Sequence, residues 1–270
     1  MTVVEILGYI GAVAIGVSLG LIGGGGSILT VPVLVYLLGV SPVLATAYSL
    51  FIVGFSSLVG GIKYARQGLV NFKTGLVFAV PAFLSVYLTR RYLMPWLPDV
   101  WFTTEVFTLT KNTGILLLFA ILMVAASISM IKKSKTEEVE VKTDGTEFNF
   151  ILILIEGAVV GMLTGLVGAG GGFLIIPALV LFAKLPMKMA IGTSLLIIAA
   201  KSLLGFIGDI QAGENIDWAF LLTISALAGT GIFIGMAFSK KVDGAQLKKG
   251  FGWFVLIMGV FMIIKETLLK

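Results

Sequence analysis

The chain has 270 residues, 58% hydrophobic and only 12% charged, with a net charge of +5 and a mean hydropathy of +1.09. These values exclude an ordinary soluble domain. It contains no Cys and no His, which excludes disulfides, thiolate nucleophiles, Cys- or His-ligated metals and imidazole proton relays. In so apolar a chain the excess of Lys and Arg reads as membrane topology, and no nucleic-acid partner or cofactor is expected.

Apolar runs long enough to cross a bilayer recur from end to end, without the alternation of a β-barrel. The expectation is an all-α, polytopic transmembrane protein. Five hydrophobic segments fall in each half, at 4–22, 27–39, 42–62, 72–93 and 112–131, then at 148–167, 172–184, 187–208, 217–239 and 250–268. The first has no basic lead, so no cleavable signal peptide is expected. Residues 1–131 form a first transmembrane repeat, 132–147 a charged linker and 148–270 a second repeat. Residues 94–111, with Trp96, Trp101, Phe102 and Phe107, form an insertion suited to an external interfacial belt.

The first segment ends in a glycine cluster, GVSLGLIGGGGSILTVPVL from Gly16, and this block returns 145 residues later as GMLTGLVGAGGGFLIIPAL from Gly161. Between Gly16 and Lys73 the two copies share nineteen of fifty-eight positions without a gap, among them Gly25/Gly170, Gly26/Gly171, Pro32/Pro177, Ser49/Ser194 and Ser57/Ser202. Each second segment holds about 13 residues, so at ~1.5 Å per residue it spans roughly 20 Å of a ~30 Å hydrocarbon core. The glycines therefore belong inside the membrane, whether the broken segments cross or form re-entrant hairpins. Either way the number of crossings per half is odd, which predicts inverted-topology repeats meeting near the midplane.

Loop charges point the same way. Lys63, Arg66 and Lys73 follow the third segment, whereas Asp209, Glu214 and Asp217 follow its counterpart. The uncharged 39–42 loop corresponds to one carrying Lys184 and Lys188. The positive-inside rule places 63–73, 132–147, 184–188 and 240–249 in the cytoplasm and both termini outside, although Lys265 and Lys270 count against that orientation.

Glycine lets main chain approach a ligand, and a helix restart offers unpaired N–H groups and the positive end of its dipole. Two matched breaks at Gly25–Ser27 and Gly170–Gly172 thus make a candidate anion cradle; close helix packing is the alternative use of such glycines. Ser49 and Ser56 lie two turns apart on the third segment, as do Ser194 and Lys201 on the eighth, with Thr193, Ser57 and Ser202 nearby. Lys201 either faces a cavity or partner as a counter-charge or snorkels outward. Glu156, inside the sixth segment, is a candidate partner for Lys201 or carrier of a coupling proton.

The repeated G-x-x-G-x-G-G-G/S-x-L-x-x-P block, followed in each half by A-x-x-x-S-L and S-L-x-G, resembles the sulfite exporter TauE/SafE family over nearly the whole chain. The resemblance implies a transporter, not an enzyme, that exports small sulfur-containing anions such as sulfite or organosulfonates. The site is then expected at Gly25, Gly26, Ser27, Ser49, Ser57, Gly170, Gly171, Gly172, Thr193, Ser194, Lys201 and Ser202, with Glu156 in proton coupling and transport by alternating access. Partners would be the anion, the lipid bilayer, a coupling proton or sodium ion and a second copy of the chain. An anion channel of the same architecture and an intramembrane Ser/Lys hydrolase, using Lys201 with Ser194 or Ser202, are the rival readings.

Overall fold

The computed structural model describes residues 3–103, 108–131, 150–181, 183, 185–238 and 244–268. The linker at 132–147, Lys184, residues 240–243 of the expected cytoplasmic loop, Phe107 and both chain ends lie outside the described residues. Each expected segment is helical over most of its described residues. The first half runs α1 (Val3–Ile22), a 3-10 turn (Gly23–Leu29), α2 (Thr30–Pro32), a π turn (Val33–Leu37), α3 (Pro42–Arg66), α4 (Phe72–Leu88), a π turn (Thr89–Leu93), α5 (Met94–Trp96) and α6 (Lys111–Ile131). The second half runs α7 (Phe150–Val167), α8 (Gly172–Leu181), α9 (Met187–Ala212), α10 (Trp218–Phe238) and α11 (Gly244–Leu268).

Among the described residues five helices are long and apolar enough to cross a membrane: Pro42–Arg66, Phe72–Trp96, Lys111–Ile128, Met187–Ala212 and Trp218–Phe238. The stretches Ile6–Ile22, Gly26–Leu37 and Ile153–Val167 are shorter apolar helices. Ile10, Leu76, Ile151 and Ile257, on four different helices, expose more than half their surface, as suits lipid rather than water. This is the all-α, polytopic membrane architecture expected from the runs.

Contacts come in pairs exchanged between the halves. Helix α1 packs on α10 as α7 packs on α4, while α3 meets α9 and α6 meets α11. Glycines set the first two contacts. A Cβ on Gly16 would lie 1.9 Å from the Ala228 carbonyl oxygen, and one on its counterpart Gly161 would lie 2.3 Å from that of Ala82. Gly60 abuts Ile232 as Gly205 abuts Val86. Bare main chain at these positions lets helices approach closely where lipid gives no hydrophobic drive for them to associate.

The insertion is not helical throughout. It opens with the end of the helix that passes through α5, then forms an antiparallel hairpin of β1 (Val100–Thr103) and β2 (Thr108–Thr110). The Trp101 ring lies over Gly114 on α6, where a Cβ would stand 2.5 Å from it, and so ties the hairpin to the helix that follows.

Candidate functional site

The two glycine breaks meet. A Cβ on Gly172 would lie 2.2 Å from the carbonyl carbon of Gly24, and one on Gly24 would lie 2.7 Å from the Gly172 Cα. The equivalent contact, with the halves exchanged, pairs Ser27 with Ala169: the Ser27 hydroxyl donates to the Ala169 carbonyl. Gly168 sits against Thr46 just as Gly23 sits against Ile191. The breaks are built differently, however. In the first copy Gly23, at φ +72°, turns the chain directly into the 3-10 helix that contains Gly25, Gly26 and Ser27. In the second, Gly168, Gly170 and Gly171 all take positive φ, and α8 restarts at Gly172. Such backbone favours glycine because a Cβ clashes there.

Helix α9 supplies the cation. Lys201 is fully buried, and its Nζ donates to Thr164 Oγ1 at 2.8 Å. A Cβ on Gly171 would lie 2.4 Å from that hydroxyl and 3.1 Å from the ammonium nitrogen. Lys201 therefore points inward, onto the second break, and does not snorkel. It is not paired with Glu156: eight residues separate Glu156 from Thr164 on α7, about 12 Å along a helix. Glu156 is part-buried, and its Oε2 has no hydrogen-bond partner.

The hydroxyls divide into two sets. Ser49 Oγ donates to the Gly168 carbonyl at 2.6 Å and Ser194 Oγ to the Ile191 carbonyl at 2.8 Å. Thr193 Oγ1 accepts the Asn71 N–H at 2.9 Å. Ser27 also donates to the Gly24 carbonyl at 2.8 Å, and the Gly26 carbonyl accepts from Ser18 Oγ at 3.1 Å. Ser18, Ser27 and Ser49 thus brace the breaks, whereas Thr193 holds the start of α4 and Ser194 bonds within α9. Ser57, Ser202 and Ser56 have buried Oγ atoms without partners. Of the main-chain donors, the Gly171 N–H is taken by the Ala169 carbonyl and the Leu174 and Ile175 N–H groups by the Gly171 carbonyl, so the helix that starts at Gly172 offers an N–H at its very tip. With Lys201 and Ser202 fully buried, the centre is closed in this conformation.

One charged pair was not apparent from the sequence. Asp209 was expected in a hydrophilic loop, but α9 continues to Ala212 and buries it. Arg90 Nη1 meets Asp209 Oδ1 at 3.3 Å and donates to Thr46 Oγ1 at 3.0 Å. Burying either charge alone in an apolar interior is costly, so the two meet. The polar interruption of α4 at T89-R-R was the available signal. Thr164, one turn before Gly168, was likewise legible as a hydroxyl in an apolar run.

A polytopic helical bundle with paired broken helices and a buried, charged centre defines an integral membrane transporter. The family model described as "Sulfite exporter TauE/SafE" matches residues 8–262, and the chain belongs to that family. It is 28% identical over 268 residues to a Xylella fastidiosa (strain 9a5c) protein named "Probable membrane transporter protein", covering 97% of both chains. It is 26% identical to "Probable membrane transporter protein YunE" of Bacillus subtilis (strain 168), covering 90% of this chain and 89% of that one. A 126-residue stretch is 34% identical to "Probable membrane transporter protein MJ0441" of Methanocaldococcus jannaschii, covering 43% of this chain and 47% of that one. No solved structure matches. The protein is thus a multi-pass membrane transporter of a small substrate.

Proposed function

We propose that the protein exports a small sulfur-containing oxyanion, sulfite or an organosulfonate, across the bacterial inner membrane by alternating access between inverted repeats. The observation that carries this reading is Lys201. Its ammonium is buried against Gly171, where the two breaks abut, and within hydrogen-bond reach it has a neutral hydroxyl rather than a carboxylate. A cation so placed favours a negative ligand, and the first N–H groups of α8 add the positive end of a helix dipole. Ser57 and Ser202 are hydroxyl donors free to turn toward a bound oxyanion. The exchanged contacts between halves support a two-fold rocking motion about this centre. Loop charges support cytoplasmic placement of 63–73 and external placement of the hairpin and both termini. Glu156 is the proposed carrier of a coupling proton; Glu156→Gln should abolish pH-driven accumulation in proteoliposomes while sparing anion exchange.

A ligand that binds the native state raises its apparent stability, by about 2.7 kcal/mol at a hundredfold excess over Kd. Purified protein should therefore show a raised melting temperature with sulfite or sulfoacetate and little change with taurine at neutral charge. A flat response to sulfite, sulfate, thiosulfate, sulfoacetate and simple carboxylates would remove the anion reading. Bilayer currents above carrier rates would instead make the protein a channel.

A further inference from the structure

The geometry points to Arg90 as a second anion-binding group, one that receives two oxygens of the transported oxyanion on the free edge of its guanidinium. This rests on the anion-transport reading above.

Arg90 is fully buried, yet only one of its three nitrogens is used. Nη1 serves both Thr46 and Asp209. Nε and Nη2 are buried without partners. Those two nitrogens are the parallel donors of the fork that takes a carboxylate, sulfonate or phosphate oxygen pair. Two orphaned donors on one buried cation are costly for a residue whose role is only to neutralise Asp209. A structural pair would turn this fork onto the carboxylate, and here Asp209 Oδ2 is left unpartnered too.

Position supports the assignment. Arg90 lies in the π turn Thr89–Leu93, a backbone irregularity of a kind frequent at functional sites. Its neighbour Thr89 packs on Gly165, and its partner Thr46 packs on Gly168. Lys201 reaches the same break through Thr164 and Gly171. Arg90, in the π turn after α4, approaches this glycine turn at Gly168 through Thr46, and Lys201, on α9, approaches it at Gly171; Asp209 offsets the Arg90 charge. In the other half, the positions of Arg90 and Asp209 at the 145-residue offset are Gly235 and Tyr64, so the fork belongs to one side of the transporter only.

The test titrates sodium sulfite and sodium sulfoacetate against melting temperature in detergent-purified wild type, Arg90→Lys, and the double variant Arg90→Met/Asp209→Leu. Arg90→Lys keeps the charge and loses the fork; the double variant removes both buried charges and so keeps the fold accessible. The expected result is a titration midpoint at least about tenfold higher in either folded variant. A wild-type midpoint in either one would reduce Arg90 to a structural role and overturn the inference. No response in wild type to any anion would overturn the transport reading and this inference together, whereas a wild-type response shared by the variants overturns this one alone. Independently of variant folding, wild-type crystals grown with selenite should carry an anomalous peak beside Arg90 Nε and Nη2; a bound selenite found only elsewhere would also overturn it.

Discussion

Gly24 and Gly172 stand main chain against main chain, so that a methyl group on Gly172 would fall 2.2 Å from the Gly24 carbonyl carbon. No side chain rotation relieves a clash with backbone. Gly172→Ala should therefore separate the two breaks, lower the melting temperature by an amount corresponding to about 1–3 kcal/mol, and abolish transport. Gly250→Ala is the control. It lies within α11 with nothing within 4 Å, and it should be neutral or stabilise by up to about 1 kcal/mol. Equal melting shifts in the two variants would show that the breaks are not in tight contact.

Lys201→Met should separate folding from binding. The ammonium has a neutral hydroxyl within reach, so removing it leaves no counter-charge stranded among the described residues and the fold should persist. A hydrogen bond to a charged group contributes about 1.5–3 kcal/mol, which at 1.4 kcal/mol per factor of ten corresponds to roughly 10- to 150-fold in affinity. Anion titrations by thermal shift should show a loss in that range. Unchanged affinity in a folded Lys201→Met protein would take Lys201 out of the site.

The bilayer made much of this architecture legible. A span must be apolar over its whole length, so the helical segments stood out in the sequence as apolar runs. The doubled glycines and prolines were legible because they report backbone constraints, and Gly168, Gly170 and Gly171 do adopt positive φ. Direction was harder to read. Lys201 has a stem long enough to turn either way, and only the Thr164 hydroxyl and the bare Gly171 main chain settle which. Arg90 and Asp209 are 119 residues apart, and Asp209 precedes Glu214 and Asp217, so it looked like the start of a polar loop. The Trp- and Phe-rich insertion suited an interface as hairpin or coil alike, and the β1–β2 pairing depends on register that composition does not carry.

The serines should behave in two ways under alanine substitution. Ser49→Ala breaks a 2.6 Å bond to the Gly168 carbonyl and strands a buried acceptor, costing about 1–3 kcal/mol of stability. Ser57→Ala and Ser202→Ala each remove a buried hydroxyl that has no partner, so stability should hold or rise slightly. Anion affinity should nevertheless fall in the latter two, because a donor free in the closed form is available to ligand. Melting curves with and without sulfite distinguish the sets; a Ser202→Ala protein that binds like wild type would exclude that hydroxyl.

Arg90 and Asp209 should show strong coupling in stability. Removing one member of a buried pair leaves an uncompensated charge, typically costing about 3–5 kcal/mol, whereas replacing both with apolar residues is often neutral or stabilising. Arg90→Met strands Asp209, and Asp209→Leu strands a guanidinium that then keeps only Thr46. Both singles should melt well below wild type, and Arg90→Met/Asp209→Leu should recover most of the loss. A double-mutant cycle gives the pair energy directly, because the two residues share one contact. Additive losses in the double variant would mean that each side chain is held by its own surroundings and that the 3.3 Å contact contributes nothing to the fold.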